Sequence, residues 1–188
     1  MKRTVTFGEI MLRLKTPEHM RILQTDAFEA SYGGAEANVA VSLAVLKDPV
    51  SFVTKLPENP VGTAALNEVR RYGADTSKVV IGGSRLGIYF FEKGTDIRPT
   101  NVVYDREGSA LALAKPEEFH WDEILKDTDI FYFSGVTPAV SENIAKAVLE
   151  ALKYCKAHGI ETVCDLNYRS KMWDTKKAQS VMSELMNY

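Results

Sequence analysis

The chain has 188 residues, 45% of them hydrophobic and 26% charged, with a formal net charge of −2. That is enough for one sizeable core, and it excludes the broad basic surface that a nucleic-acid or anionic-membrane partner favours. Charges interrupt the apolar run of "MKRTVTFGEIMLRL" too early for a signal peptide, and no apolar stretch is long enough to span a bilayer.

"TVTFGEIMLRL" has the β-branched and apolar content of a strand. In "AEANVAVSLAVL", Val39, Leu43 and Leu46 fall at helical spacing. "VSFVTKL" reads as a strand. "VGTAALNEVRRYG" reads as a helix with Leu66, Val69 and Tyr72 on one face and Gly73 as its stop. "SKVVIGG" is a short strand. The rhythm then changes, for "LGIYFFEKGTDIRPTNVVYDREG" reads as strand, polar turn and strand with no helix between. A helical "PEEFHWDEILKD" and a strand "DIFYFSGV" follow. "SENIAKAVLEALKYCKAHG" is the clearest helix: Ser141 caps it, Ile144, Val148, Ala151, Leu152 and Cys155 form its stripe, and Gly159 stops it. "IETVCDLNY" is a buried-type strand, and "DTKKAQSVMSELMNY" begins another helix. Cys155 and Cys164 read as free thiols in a reducing compartment, so a cytoplasmic soluble protein is expected.

Strands alternating with helices predict an α/β domain with a mainly parallel sheet covered on both faces. The hairpin-like region near 86–106, with the polar segment 15–30, predicts a small second sheet, a natural lid. In open α/β sheets ligands bind outside the carboxyl ends of the strands, which points to "YGGAEAN", "SGVTP" and "DLNYR". The first is neither a P-loop nor a dinucleotide fingerprint, since GxxxxGK[ST] and GxGxxG are both absent. It is either a Gly-Gly turn that lets backbone N–H groups approach a ligand, with Asn38 offering a donor and an acceptor, or only a tight turn with Asn38 as a local cap.

"GGAEANVAVSLAVL" resembles the first signature of the ribokinase-like (PfkB) sugar kinases. "TFGEIMLRL" upstream and "PVGTAALNEVRRYGADTS" downstream match the same family in order and spacing. "GIYFFEKG", "VVYDREGSA", "FYFSGV" and "DLNYR" narrow the resemblance to 2-keto-3-deoxygluconate kinases, which phosphorylate a sugar acid with ATP. The implied fold is a ribokinase-like α/β domain with a β-sheet lid, its lid segments near 10–32 and 86–108. The implied site is a sugar loop at Gly33, Gly34 and Asn38. Arg106 is then the partner for the substrate carboxylate, a task suited to a planar guanidinium. Tyr104 would share its strand face, and Tyr89 lies on the partner strand. Arg169 reaches the sugar or the transferring phosphate, and Asn167 lies toward the nucleotide phosphates and Mg²⁺. Glu9 and Arg13 flank the first strand end. Ribokinase carries an acidic sugar-binding residue where this chain has Arg13, which argues against a neutral pentose and leaves the role of Arg13 open. His19, His120 and His158 show no metal-ligand spacing.

The family's second signature, a Gly-Ala-Gly-Asp-like stretch carrying the catalytic base and an anion hole for the phosphate, has no counterpart here. The chain is therefore expected to be the N-terminal portion of one kinase domain, to hold the sugar side of the site without most of the ATP side, and to be inactive alone. The expected partners are a sugar acid, ATP with Mg²⁺, and a second copy through the lid sheet. A fructokinase-like activity, a non-catalytic sugar-acid binding or dimerisation module, and a nucleotide-binding domain of another enzyme are the alternatives. The missing glycine fingerprints weigh against the last.

Overall fold

The computed structural model describes residues 1–188. In chain order the elements are β1 (Thr4–Phe7), β2 (Met11–Lys15), β3 (Glu29–Gly33), α1 (Ala35–Val45), β4 (Val50–Val53), β5 (Lys55–Leu56), α2 (Pro60–Arg70) and β6 (Val80–Ile81), then β7 (Ile88–Glu92) and β8 (Asn101–Asp105), and finally α3 (Trp121–Ile124), β9 (Ile130–Ser134), α4 (Val136–Val140), α5 (Glu142–His158), β10 (Glu161–Asp165) and α6 (Thr175–Leu185). No helix is long and apolar enough to cross a membrane.

The central sheet is all parallel, in the order β10-β9-β1-β4. Its register sorts side chains onto two faces. Val5 pairs with Phe131 and Ser51, and Phe7 with Val53, so this set shares one face. There Val5, Phe7, Val53, Phe131 and Phe133 join the buried stripe of α5 in the larger core. Burying each such ring contributes roughly 1.5–3 kcal/mol relative to leaving it exposed. The opposite face carries Val50 and Phe52, packed under Ala37, Ala40 and Ala44 of α1 in a second core. Helix α5 begins where expected: the Ser141 hydroxyl accepts the Ile144 N–H at 3.3 Å, and Gly159 ends the helix at φ 69°.

A second four-stranded sheet stands beside the first, in the order β3-β2-β7-β8. Its β7–β8 pair is antiparallel and its β2–β7 pair parallel. Residues 86–106 thus lie outside the central sheet, with Tyr89 directly opposite Tyr104.

Several local expectations are corrected. "TVTFGEIMLRL" is two strands. Gly8 still donates to Val53 of the central sheet, whereas Leu12 donates to Gly87 of the second, so the chain changes sheets across residues 8–10. "VSFVTKL" likewise divides into β4 and β5. On α1 the buried face is Glu36, Ala37, Ala40 and Ala44, and Leu46 is 71% exposed. Small residues let this helix sit close to the sheet, which an apolar-periodicity reading overlooks. On α2, Gly62, Ala65 and Val69 are buried, while Tyr72 is exposed. "PEEFHWDEILKD" yields only a 3-10 turn and the single turn of α3. "IETVCDLNY" supplies the five-residue strand β10, which lies at the sheet edge and is only partly covered, with Val163 and Leu166 exposed.

Candidate functional site

A cleft of about 550 Å³ lies between the inner face of the second sheet, the start of α1 and the carboxyl ends of β9 and β10. Strand register builds one wall. Arg13 on β2 pairs with Tyr89 on β7, which pairs with Tyr104 on β8. Residues directly opposite share a face, so the three line up across the wall, and all three border the cleft. The tyrosine rings sit 5.9 Å apart. Burial pushes the Tyr89 phenol above its ordinary pKa, and the nearby Arg13 charge pulls the other way.

The opposite wall is "YGGAEAN". Its glycines have different reasons to be glycine. Gly34 is extended, at φ −171°, a conformation open to any residue. A Cβ there would overlap the Glu9 carbonyl, so close packing on the β1–β2 turn requires its absence. Gly33 faces the cleft: a Cβ on it would lie 3.5 Å from the Tyr89 hydroxyl and 3.9 Å from Asn38 Oδ1. Asn38, on the first turn of α1, is exposed and borders the cleft. This loop follows a strand of the second sheet, not of the central one as its motif position implied. It reaches the carboxyl end of β1 only because the β2–β3 excursion returns there.

Arg106 is no solvated surface residue. It lies just past β8 with its side chain 15% exposed, and its Nη2 is paired with Glu9, whose side chain is 4% exposed. Glu9 also accepts the Ser109 hydroxyl at 2.6 Å, and Arg106 Nη1 lies 3.4 Å from Met172 Sδ. Gly87 leaves room for this pair, since a Cβ there would lie 3.0 Å from Glu9 Oε1. Sequence reading placed Glu9 near the site but missed that it holds Arg106, 97 residues away.

A second carboxylate was missed altogether. Glu36, within "GGAEAN", is 1% exposed. It accepts the Ser134 N–H and the Thr137 hydroxyl, each at 2.8 Å, and so fastens α1 to the β9–α4 turn. Burial pushes its carboxyl above the ordinary range. The available signal was a charged residue on a helix face otherwise made of alanine.

Asp165, the last residue of β10, and Asn167 and Arg169 just beyond it close the far end. Asn167 adopts φ 34°, and its N–H donates to Asp165 Oδ1 at 3.0 Å. Arg169 is exposed and has no acidic partner. Lys171 ties this loop to β8 by donating to the Val102 carbonyl at 2.8 Å. Every residue singled out for the sugar side therefore borders one cleft, as do Asn167 and Arg13. His19, His120 and His158 do not line it. No group of three or more His, Cys, Asp or Glu side chains is arranged to hold a metal ion, so the Mg²⁺ implied by the resemblance finds no cage among these residues.

The profile of the pfkB family of carbohydrate kinases matches residues 1–188. A 2-dehydro-3-deoxygalactonokinase of Haloferax volcanii is 40% identical over 181 residues, 96% of this chain and 57% of the relative. The crystal structure of a 2-dehydro-3-deoxygluconokinase from Thermotoga maritima superposes with a TM-score of 0.97 at 48% identity, covering 100% of this chain and 58% of that one. A pfkB family carbohydrate kinase from Listeria grayi superposes with a TM-score of 0.95 at 38% identity, over 98% of this chain and 58% of its own. The chain thus spans a little over half the length of these relatives.

Proposed function

This chain belongs to the pfkB family of carbohydrate kinases, and on that footing we propose that the protein carrying it phosphorylates a 2-keto-3-deoxy sugar acid with ATP, most simply 2-keto-3-deoxygluconate to its 6-phosphate. The observation that carries the reading is the cleft itself. A tyrosine pair, a glycine-backed asparagine and a rigidly held arginine face one cavity of sugar size. The relatives named for such sugar acids support it.

In this reading the sugar lies against Tyr89 and Tyr104, and its hydroxyls meet the two phenols and Asn38. Arg106, aimed by Glu9, donates to the carboxylate end. The primary hydroxyl points toward Asn167 and Arg169. Its oxygen attacks the terminal phosphorus of ATP, the bond to the ADP oxygen breaks, and the hydroxyl proton passes to a base that the family resemblance places outside these residues. Arg169 offsets charge on the transferring group. Transfer of this kind depends mostly on positioning and charge stabilisation, and the side chains here supply the positioning.

The outer face of the second sheet is proposed to meet a second copy. It presents Leu12, Leu14, Phe28 and Phe90, half-buried, beside an exposed Val103. A cytoplasmic setting goes with the reading, since both cysteines are free thiols.

The test is a coupled assay on the full-length protein with ATP and three substrates: 2-keto-3-deoxygluconate, its galactonate epimer and fructose. A kcat/KM for either acid at least a hundredfold above that for fructose is expected. A preference for the neutral ketose would overturn the reading.

A further inference from the structure

Most positive charges in and beside the second sheet are paired with acids; exposed Lys93 is not, and neither is half-buried Arg13. Lys15 pairs with Glu29 at 2.7 Å, Arg85 with Asp105 at 2.9 Å, and Arg106 with Glu9. Arg13 pairs with no acid and makes no hydrogen bond, and its Nε is buried without a partner. Its guanidinium lies over the Phe91 ring, 4.1 Å from the centroid. Stacking of this kind fixes the plane of the group while leaving its N–H edges open. Arg13 borders the cleft beside Tyr89.

Charge balance gives this arrangement a meaning. Arg106 enters the cleft already neutralised by Glu9, and one of its amino groups is committed to that carboxylate. It can shape a binding site, but it brings little net charge to attract an anion. A carboxylate moved out of water needs a compensating charge, and a part-buried guanidinium without a partner is costly for the same reason. Each would meet the other's need.

We propose that Arg13 is a substrate-binding, specificity-determining residue whose free guanidinium takes the carboxylate of the sugar acid by a paired hydrogen bond and makes the cleft select anionic over neutral sugars. This rests on the kinase reading above and deepens it. Arg106 then provides fixed directional contacts, and Arg13 provides the counter-charge. Phe91 serves as the platform that keeps the Arg13 fork flat against the wall.

The experiment uses the full-length kinase and two variants. Arg13→Met keeps the stem that packs on Phe91 and removes the charge. Arg13→Lys keeps the charge and removes the fork. KM and kcat are measured for 2-keto-3-deoxygluconate and for fructose, along with KM for ATP, and calorimetry gives binding of the sugar acid without ATP. Arg13→Met should weaken the acid at least tenfold in both KM and Kd, a factor worth about 1.4 kcal/mol. KM for ATP and kinetics with fructose should change less than twofold, so the acid-over-neutral preference falls by the same factor. Arg13→Lys should recover part of the loss, and that part should shrink as salt rises. Acid turnover by the wild type with KM and Kd unchanged in Arg13→Met would overturn this inference alone. A wild type that takes fructose and refuses the acid would overturn the kinase reading together with it. If Arg13→Met fails to fold, Arg13→Lys decides: a folded lysine variant with unchanged acid binding at every salt concentration would sink the paired-fork claim.

Discussion

Replacing Arg106 by alanine in the full-length protein should have two separable effects. The first is on stability. Glu9 and Arg106 form an ion pair with side chains 4% and 15% exposed, so the small energies of surface pairs do not apply. Removing one partner of a buried pair typically costs about 3–5 kcal/mol, because the other charge is left uncompensated. The Ser109 hydroxyl still donates to Glu9 at 2.6 Å, so the lower end of that range is expected. The second effect is on binding. Truncating a buried charged group that holds a ligand charge costs about 2–5 kcal/mol. One Arg106 amino group is already committed to Glu9, so a value near 2 kcal/mol, about a thirtyfold rise in KM for the sugar acid, follows. KM for ATP should move far less. The double variant Glu9→Gln/Arg106→Ala removes the stranded charge, so it should recover much of the lost stability and none of the lost affinity. Thermal melts and a coupled kinase assay on wild type, single and double variants separate the two. If Arg106→Ala lowers the melting temperature but leaves KM for the acid within twofold, Arg106 is a structural residue and the site built around it is wrong.

Glu36 gives a pH test. Burial raises its folded-state pKa above the ordinary 4.5, so the folded chain holds this proton more tightly than the unfolded chain. Its contribution is complete below about 4.5 and is lost as pH rises from there toward the folded value. Denaturant midpoints of wild type and Glu36→Gln at pH 4.5, 6 and 7.5 should diverge in favour of the glutamine variant as pH rises; a constant difference refutes the buried-proton account. The two glycines should also separate. Gly34→Ala drives a methyl group into the Glu9 backbone and should cost about 1–3 kcal/mol of stability. Gly33→Ala, with 3.5 Å to the Tyr89 hydroxyl, should fold normally and raise KM for the sugar. Equal melting temperatures for both variants would contradict this.

Local signals read well from the sequence and distant pairings did not. Ser141 and Gly159 bounded α5 as expected, because a cap and a left-handed stop act within one turn. The hairpin at β7–β8 was legible because two strand patterns stood where the rhythm called for a helix. Faces packed by small residues were not. On α1 the inward side is alanine with one buried glutamate, and apolar periodicity picked Val39, Leu43 and Leu46 instead. The candidate site residues were named from a family resemblance, and the cleft that gathers them is a property of the folded chain. What the sequence could not convey was partnership: neither "GE" near the start nor "DREGS" a hundred residues later announces that it completes the other.

Residues 8–10 show why that partnership arises where it does. A single strand running from Thr4 to Leu14 would have kept both sheets in one plane and left no cleft. The chain instead leaves the central sheet after Gly8 and joins the second by Leu12, and Glu9 lies inside that switch. Both sheets meet there: Gly34 packs on the Glu9 carbonyl from the α1 side, while the Glu9 carboxylate takes Arg106 and Ser109 from the β8 side. The turn that separates the sheets therefore also sets the distance between the cleft's two walls. A disturbance at Glu9 should reach the Gly33–Asn38 loop and Arg106 together, and loss of the glycine at position 34 should reach Arg106 through the same backbone. The adjoining Gly8 packs against buried Glu36, which in turn holds the Ser134 N–H at the end of β9. The walls and floor of the cleft are thus tied through two consecutive positions, Gly8 and Glu9, and a rigid site on a two-sheet scaffold needs some such common point, because loops anchored separately would let a planar guanidinium and a tyrosine pair drift out of register.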